Sequence, residues 1–229
     1  VCPWPATTLG AGAVAERIRF GAYVLISVVT SAVAYPLFGH WAWGGMLDGH
    51  PTGWLARMGF LDFAGSTVVH SLGGWMALAA CLMVGPRIGR FDKNPPPMTG
   101  HNLPMSTIGA LLLWFGWFGF NGGSALGMTS IVPLVMLNTN LAAAAGGLAA
   151  FFVSWQIEKL PDVGQVINGV IGGLVAVTAG CNVVAPLGAV TIGAVAGVVV
   201  VLGTNFLAKV KVDDVVGAIL LALEGRLEG

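Results

Sequence analysis

The chain has 229 residues, of which 56% are hydrophobic and 9% charged, and its formal net charge is zero. Soluble domains carry about a quarter charged residues, so this composition and a mean hydropathy of +0.85 exclude an ordinary soluble domain and fit a polytopic membrane protein. Zero net charge leaves no basic surface for nucleic acid, and the scattered Cys2, Cys81 and Cys181 form no metal or disulfide pattern, so neither a metal nor a cofactor is expected.

In chain order, the opening VCPWPATTLG holds no initiator Met and no signal peptide, and Pro3 and Pro5 disfavour a helix interior. The sequence reads as starting within a larger protein. A partial helix is expected near 5–15. A spanning helix needs roughly 20 apolar residues. Six candidates come next, at about 20–40, 62–86, 104–123, 129–156, 164–184 and 187–208. A second partial helix is expected near 214–223, and residues 1–229 are read as one transmembrane domain. The 35 glycines suggest helices packed through small faces, with Gly193–Gly197 (GAVAG) as one such face. Cys81, inside an apolar run, reads as a small hydrophobe.

Charge orients the chain. Alternate loops hold Arg17 and Arg19, then Arg87, Arg90 and Lys93, then Lys159, then Lys209 and Lys211, whereas the opposite loops hold only Arg57. The positive-inside rule puts the first set in the cytoplasm. The Trp-rich loop at 41–54, FNGGS at 120–124 and CNVVAP at 181–186 then face outside.

An acid and an imidazole stand at the head of the second full helix, in DFAGSTVVH. Asp62 reads first as an N-cap that accepts the N–H of Ala64 or Gly65; direct substrate contact is the alternative. His70, eight residues on, lies roughly 12 Å further along the axis, near mid-membrane. Ionisable groups there are functional by default, although a histidine satisfied by a neighbouring helix remains the plainer possibility. Ser66 shares its face, and Trp75 does so more loosely. The separation of Asp62 and His70 argues against a catalytic dyad on one straight helix. His40, His50 and His101 are expected in loops, and no HxxxH-type pair exists.

GAVAERIRF, DFAGSTVVH, HNLPM, GWFGFNGGS and VDD, in this order, resemble the ammonium transporter (Amt/Mep/Rh) family, over about 12–219. The resemblance implies an eleven-helix fold of two inverted repeats, with one pore per protomer of a homotrimer. About six complete helices and two partial ones would be present here. It implies that ammonium, or methylammonium, is caught in an outer aromatic vestibule and loses a proton. Ammonia then crosses a narrow hydrophobic pore past twin histidines, the proton crossing separately.

Carried over residue by residue, Trp43 in WAWGG matches a vestibule tryptophan, where a partly desolvated cation on the indole gains about 1–2 kcal/mol. Its plainer alternative is a belt Trp, which suits Trp41 better. Ser124 matches a serine that accepts a hydrogen bond from ammonium; otherwise it packs at a helix end. Phe120 matches the inner of two stacked gating phenylalanines; otherwise it is a packing or lipid-facing ring, and Trp117 is adjacent packing. His70 matches the first pore histidine. A neutral imidazole has one donor and one acceptor for ammonia, while apolar walls penalise a bare cation.

The chain departs from the family pattern in three places. The outer gate phenylalanine falls at Cys2. The eleventh helix, with the cytoplasmic tail that meets PII-type signalling proteins, has no counterpart. The second histidine would stand eight residues after Asp214, where this sequence has Ala222, and the family's proline after VDD is Val215. The repeated spacing of eight is what an inverted pair of half-sites produces. Alongside transport, three other readings stand. They are an ammonium-sensing membrane domain, a non-transporting fragment, and an intramembrane enzyme, for which no second acid, nucleophile or metal trio is visible.

Overall fold

A computed structural model describes residues 4–93, 98 and 100–219. The described residues are helical or in turns, with no strand among them. Helix α1 spans Trp4–Ala13 and α2 Phe20–Trp43. A short α3, Trp54–Arg57, lies in the Trp-rich loop. Beyond it come α4 (Ser66–Val84), α5 (Leu103–Gly123), α6 (Val132–Glu158), α7 (Val163–Val177) and α8 (Pro186–Lys209). Five of these, α2, α4, α5, α6 and α8, are long and apolar enough to cross a membrane.

Local chemistry sets several starts. Asn102 Oδ1 accepts the N–H of Met105 ahead of α5, and Asp162 Oδ1 accepts that of Gly164 ahead of α7. Pro104, Pro133 and Pro186 sit in first turns, where no N–H is missed.

Helices α6, α7 and α8 pack through glycine and alanine. A methyl group on Gly173 or Gly193 would run into the carbonyl oxygen of Ala142, and one on Gly197 into that of Gly146. One on Gly146 would meet the carbonyl of Gly169. Backbone lies on backbone here, as small residues allow in membranes. The GAVAG stretch is part of this interface, as its composition suggests. In contrast, Leu25, Val28, Val33 and Leu37 of α2 and Leu111, Leu112 and Phe115 of α5 are exposed, an apolar surface suited to lipid.

Three expectations need correction. The candidate at 164–184 is a helix only over Val163–Val177, whose 15 residues span roughly 22 Å, short of a bilayer core of about 30 Å. The chain unwinds after it because Asn138 of α6 donates Nδ2 to the carbonyls of Cys181 and Val184, each at 2.9 Å. Buried non-helical backbone is tolerated where protein satisfies it. Asp62 lies ahead of its helix rather than in it, and His40 sits in the last turn of α2 rather than in a loop. Of the partial helix near 214–223, the described residues show only Ala218 and Ile219; Ala222, like Cys2, lies outside them.

At the far end of α4 from Asp62, three basic side chains converge on Asp213. Arg17 Nη1 and Arg87 Nε each lie 2.9 Å from Oδ2, the Arg87 N–H donates to the same oxygen at 3.0 Å, and Arg90 Nε lies 3.5 Å from Oδ1. Burial by itself raises the Asp213 pKa, but the hydrogen bonds of Arg87 and the charge of Arg17 outweigh it and hold the carboxyl below its ordinary range. Cys81 is more than a hydrophobe: its thiol accepts from Arg17 Nη2 at 3.4 Å and donates to the Ala13 carbonyl at 3.3 Å.

Candidate functional site: an aromatic cavity beside a buried histidine

The Asp62 carboxylate accepts four backbone N–H groups. Oδ1 takes those of Gly65 and Ser66 at 2.8 and 2.9 Å; Oδ2 takes those of Thr67 and Val68, both at 2.9 Å. This is the expected cap: of the two expected donors Gly65 takes part and Ala64 does not, and Ser66, Thr67 and Val68 join it. Gly65 has φ +107°, a conformation glycine reaches without a Cβ clash. It turns the chain so that four successive N–H vectors converge on one carboxylate.

Helix α4 then opens with a π-helical turn, Ser66–Ser71, in which the His70 N–H donates to the Gly65 carbonyl five residues back, at 3.1 Å. Such bulges are frequent at functional sites. His70 is buried, and neither ring nitrogen has a hydrogen-bond partner among the described residues. Trp117 stacks on the imidazole at 5.0 Å with 16° between planes; Phe120 meets it edge-on at 5.6 Å. Ser66 shares this environment: it is fully buried and its hydroxyl has no partner among the described residues. Trp75 does not, since it is 42% exposed; five residues along an α-helix places it well around the cylinder.

On the other side of Phe120 lies an apolar cavity of about 1030 Å³, lined by Tyr35, Trp43, Asp62, Phe120, Ser124 and Asn182 among others. Helices α2 and α5, the Asp62 turn and the unwound segment after α7 all contribute. The Trp43 Nε1–H donates to the Asp62 carbonyl at 2.7 Å, which fixes the indole at the wall. Trp41 instead packs edge-on against Phe38 and Trp54. The Ser124 hydroxyl donates to the Phe120 carbonyl at 2.8 Å, so its proton is committed and its oxygen is left as an acceptor at the cavity wall. Phe120 is the shared partition, touching the cavity on one side and His70 on the other.

The six residues singled out from the sequence, Trp43, Asp62, His70, Trp117, Phe120 and Ser124, therefore fall in one region. Asp62 and His70 make no direct contact, as their spacing indicates. Sequence reasoning did not single out Asn121, Thr139 and Thr178, which form a buried polar group behind Trp117. The signal for it was an Asn one turn after a Trp in an otherwise apolar helix, since polar groups at membrane depth rarely lack a role.

The family model described as Ammonium Transporter Family matches residues 4–222. Among curated proteins, ammonium transporter Amt2 of Archaeoglobus fulgidus is 48% identical over 93% of this chain and 47% of its own length. An ammonium transporter of Bacillus subtilis is 40% identical over 89% of this chain and 47% of its own length. Among solved structures, one titled Sensor Amt Protein superposes with a TM-score of 0.94 at 43% identity, over 97% of this chain and 56% of that one. Candida albicans Mep2 superposes with a TM-score of 0.86 at 33% identity, over 96% of this chain and 48% of that one. The chain thus spans about half the length of the curated relatives it matches. With its membrane-spanning helices, its fold and its sequence in agreement, this multi-pass membrane protein belongs to the ammonium transporter family.

Proposed function

We propose that this chain forms the ammonium-capturing and ammonia-conducting part of a transporter. The observation that carries the reading is one arrangement: a cavity walled by Trp43, Phe120 and Ser124, with His70 directly behind Phe120 and both ring nitrogens free among the described residues. A cation entering the cavity meets the Trp43 π face and the Ser124 acceptor. It gives up its proton to solvent water in the open cavity, because apolar walls beyond Phe120 penalise a charge. Neutral ammonia passes the Phe120 ring and finds in His70 one donor and one acceptor. Asp62 acts from behind: it holds the N-terminus of α4 and, through its carbonyl, the Trp43 ring.

The loops bearing Arg17, Arg87 and Arg90 meet at Asp213, close to Lys209 and Lys211 in sequence. This supports one basic end, which the positive-inside rule makes cytoplasmic in the plasma membrane. A homotrimer and a PII-type regulator are the partners that the family implies. The test is methylammonium uptake in cells lacking their own transporters, with the protein made from its complete reading frame. Saturable uptake, weakened in its half-saturation by Trp43→Ala and lost in maximal rate by His70→Phe, is expected; normal membrane insertion without uptake would sink the reading.

A sensing role is the second reading, favoured by the likeness to the Sensor Amt Protein structure. The same cavity would then report occupancy to a signalling partner. Ammonium binding without flux, abolished by Trp43→Ala, would favour it over transport.

A further inference from the structure

A buried imidazole is ordinarily oriented by the hydrogen bond its far nitrogen makes. His70 has no such bond on either nitrogen among the described residues. Among the described residues two rings hold it, Phe120 edge-on and Trp117 nearly parallel, at 16°. What fixes Trp117 therefore helps to set the plane of His70.

The Trp117 Nε1–H donates to Thr178 Oγ1 at 2.9 Å. The Thr178 hydroxyl has one proton and two acceptors within reach, the Leu174 carbonyl at 2.6 Å and Asn121 Oδ1 at 3.2 Å. The proton is shared in a three-centre bond, mainly with the nearer carbonyl and in part with Asn121 Oδ1, which ties Asn121 to the threonine. This locks the threonine rotamer and turns a lone pair toward Trp117. One turn further along α5 the arrangement recurs. Asn121 Nδ2 donates to Thr139 Oγ1 at 2.9 Å, and Thr139 donates to the Val135 carbonyl at 2.7 Å. Two threonines from different elements thus act as fixed acceptors for two side chains on one face of α5. Asn121, Thr139 and Thr178 are fully buried, and none of them lines the cavity. Polar groups placed at this depth, away from the cavity, are costly unless every bond is made.

We propose that Thr178, Asn121 and Thr139 are positioning residues, which set the plane of His70 through Trp117. The proposal rests on the reading of His70 as a contact for ammonia. A network that merely glued α5 to α6 would leave the imidazole indifferent to the loss of one acceptor.

The test compares Thr178→Val, which removes the acceptor at nearly constant size, with Thr178→Ser, which keeps it. Two quantities are measured on the complete protein: the ring-proton resonances of His70, assigned with His70→Gln, and methylammonium uptake resolved into half-saturation and maximal rate. Thr178→Val should move the His70 resonances out of the Trp117 ring current. It should lower the maximal rate about fivefold, the weight of one hydrogen bond, with half-saturation unchanged because Trp43 and Ser124 are untouched. Thr178→Ser should restore both. Unmoved His70 resonances in Thr178→Val, or equal losses in the Ser and Val variants, would overturn the proposal. Should Thr178→Val fail to insert, Thr139→Val decides by the same outcomes at smaller amplitude. Should the unaltered protein show no uptake, the transport reading falls, while the resonances still decide the positioning role.

Discussion

Asp62 and Asp214 do the same thing at opposite ends of the bundle, in different company. Each carboxylate caps the backbone just beyond it, and each is followed three residues later by a glycine with positive φ, Gly65 at +107° and Gly217 at +73°. The difference lies in what surrounds the cap. Asp62 takes four N–H groups, has no basic side chain on it among the described residues, and faces an aromatic cavity. Among the described residues Asp214 takes the N–H groups of Ala218 and Ile219, beside Asp213 in its arginine cluster. One local device, repeated by inversion, serves a cavity at one end and an ionic junction at the other. The backbone motif is thus separable from the function of the region it starts.

The sharpest break in this comparison is Asp62→Ala. Four donors, three of them buried, lose their acceptor, and at about 1 kcal/mol each the variant should unfold about 4 kcal/mol more easily in detergent. A loss below about 1 kcal/mol would show that the cap is not what holds α4. Arg87→Ala comes next. It leaves the buried Asp213 carboxylate with Arg17 as its main partner, and breaking a buried pair costs about 3 kcal/mol. The accompanying bridge to Glu16, whose side chain is largely exposed, should contribute little, so Glu16→Gln should be nearly silent in the same assay.

Asp214→Ala should cost at least about 2 kcal/mol, from the N–H groups of Ala218 and Ile219 that it holds among the described residues. A loss below about 0.5 kcal/mol would show that this cap, unlike the one at Asp62, carries no load. Acid provides a milder probe. The folded-state pKa of Asp213 is depressed, so its stabilisation is complete above the unfolded carboxylate value of about 4 and is lost as pH falls through the lower folded value. Melting temperatures of the unaltered protein should drop across that window, and those of Asp213→Asn should drop less. Modest effects also belong to the turns. Gly65→Ala and Gly217→Ala each force a side chain into positive φ, at about 1–2 kcal/mol. Gly65→Ala should be the worse, since its added methyl would sit 2.6 Å from Val69 Cγ2.

The long elements were legible because membrane thickness imposes a length. The starts and ends of α5 and α8 fall within a residue or two of the apolar runs. The error at α7 has a definite cause. The run through 184 stays apolar, but Asn138, some forty residues upstream, satisfies the carbonyls of an unwound backbone, and hydropathy does not register such a partner. The cap at Asp62 could be read because an acid before a helix has a local reason. Its choice of donors could not, because they depend on the dihedral of Gly65. The grouping of Trp43, Phe120, Ser124 and His70 came from motifs that resemble a known family. The polar layer behind Trp117 was invisible, because Thr139 and Thr178 look like ordinary helix residues until the fold brings them to α5.

The π turn at the head of α4 has a consequence for insertions and deletions. A bond from His70 back to Gly65 means that the turn contains one residue more than an α-helix needs. Removing Val68 would let the turn close without shifting the register of the remaining helix, so Ala77 and Cys81 would still meet Ala13 and Val14 in their core. His70, whose N–H already reaches the Gly65 carbonyl, would keep its place, whereas the Asp62 carboxylate would lose the Val68 N–H. In this helix, the extra residue of the turn serves the cap on Asp62 and not the packing further along.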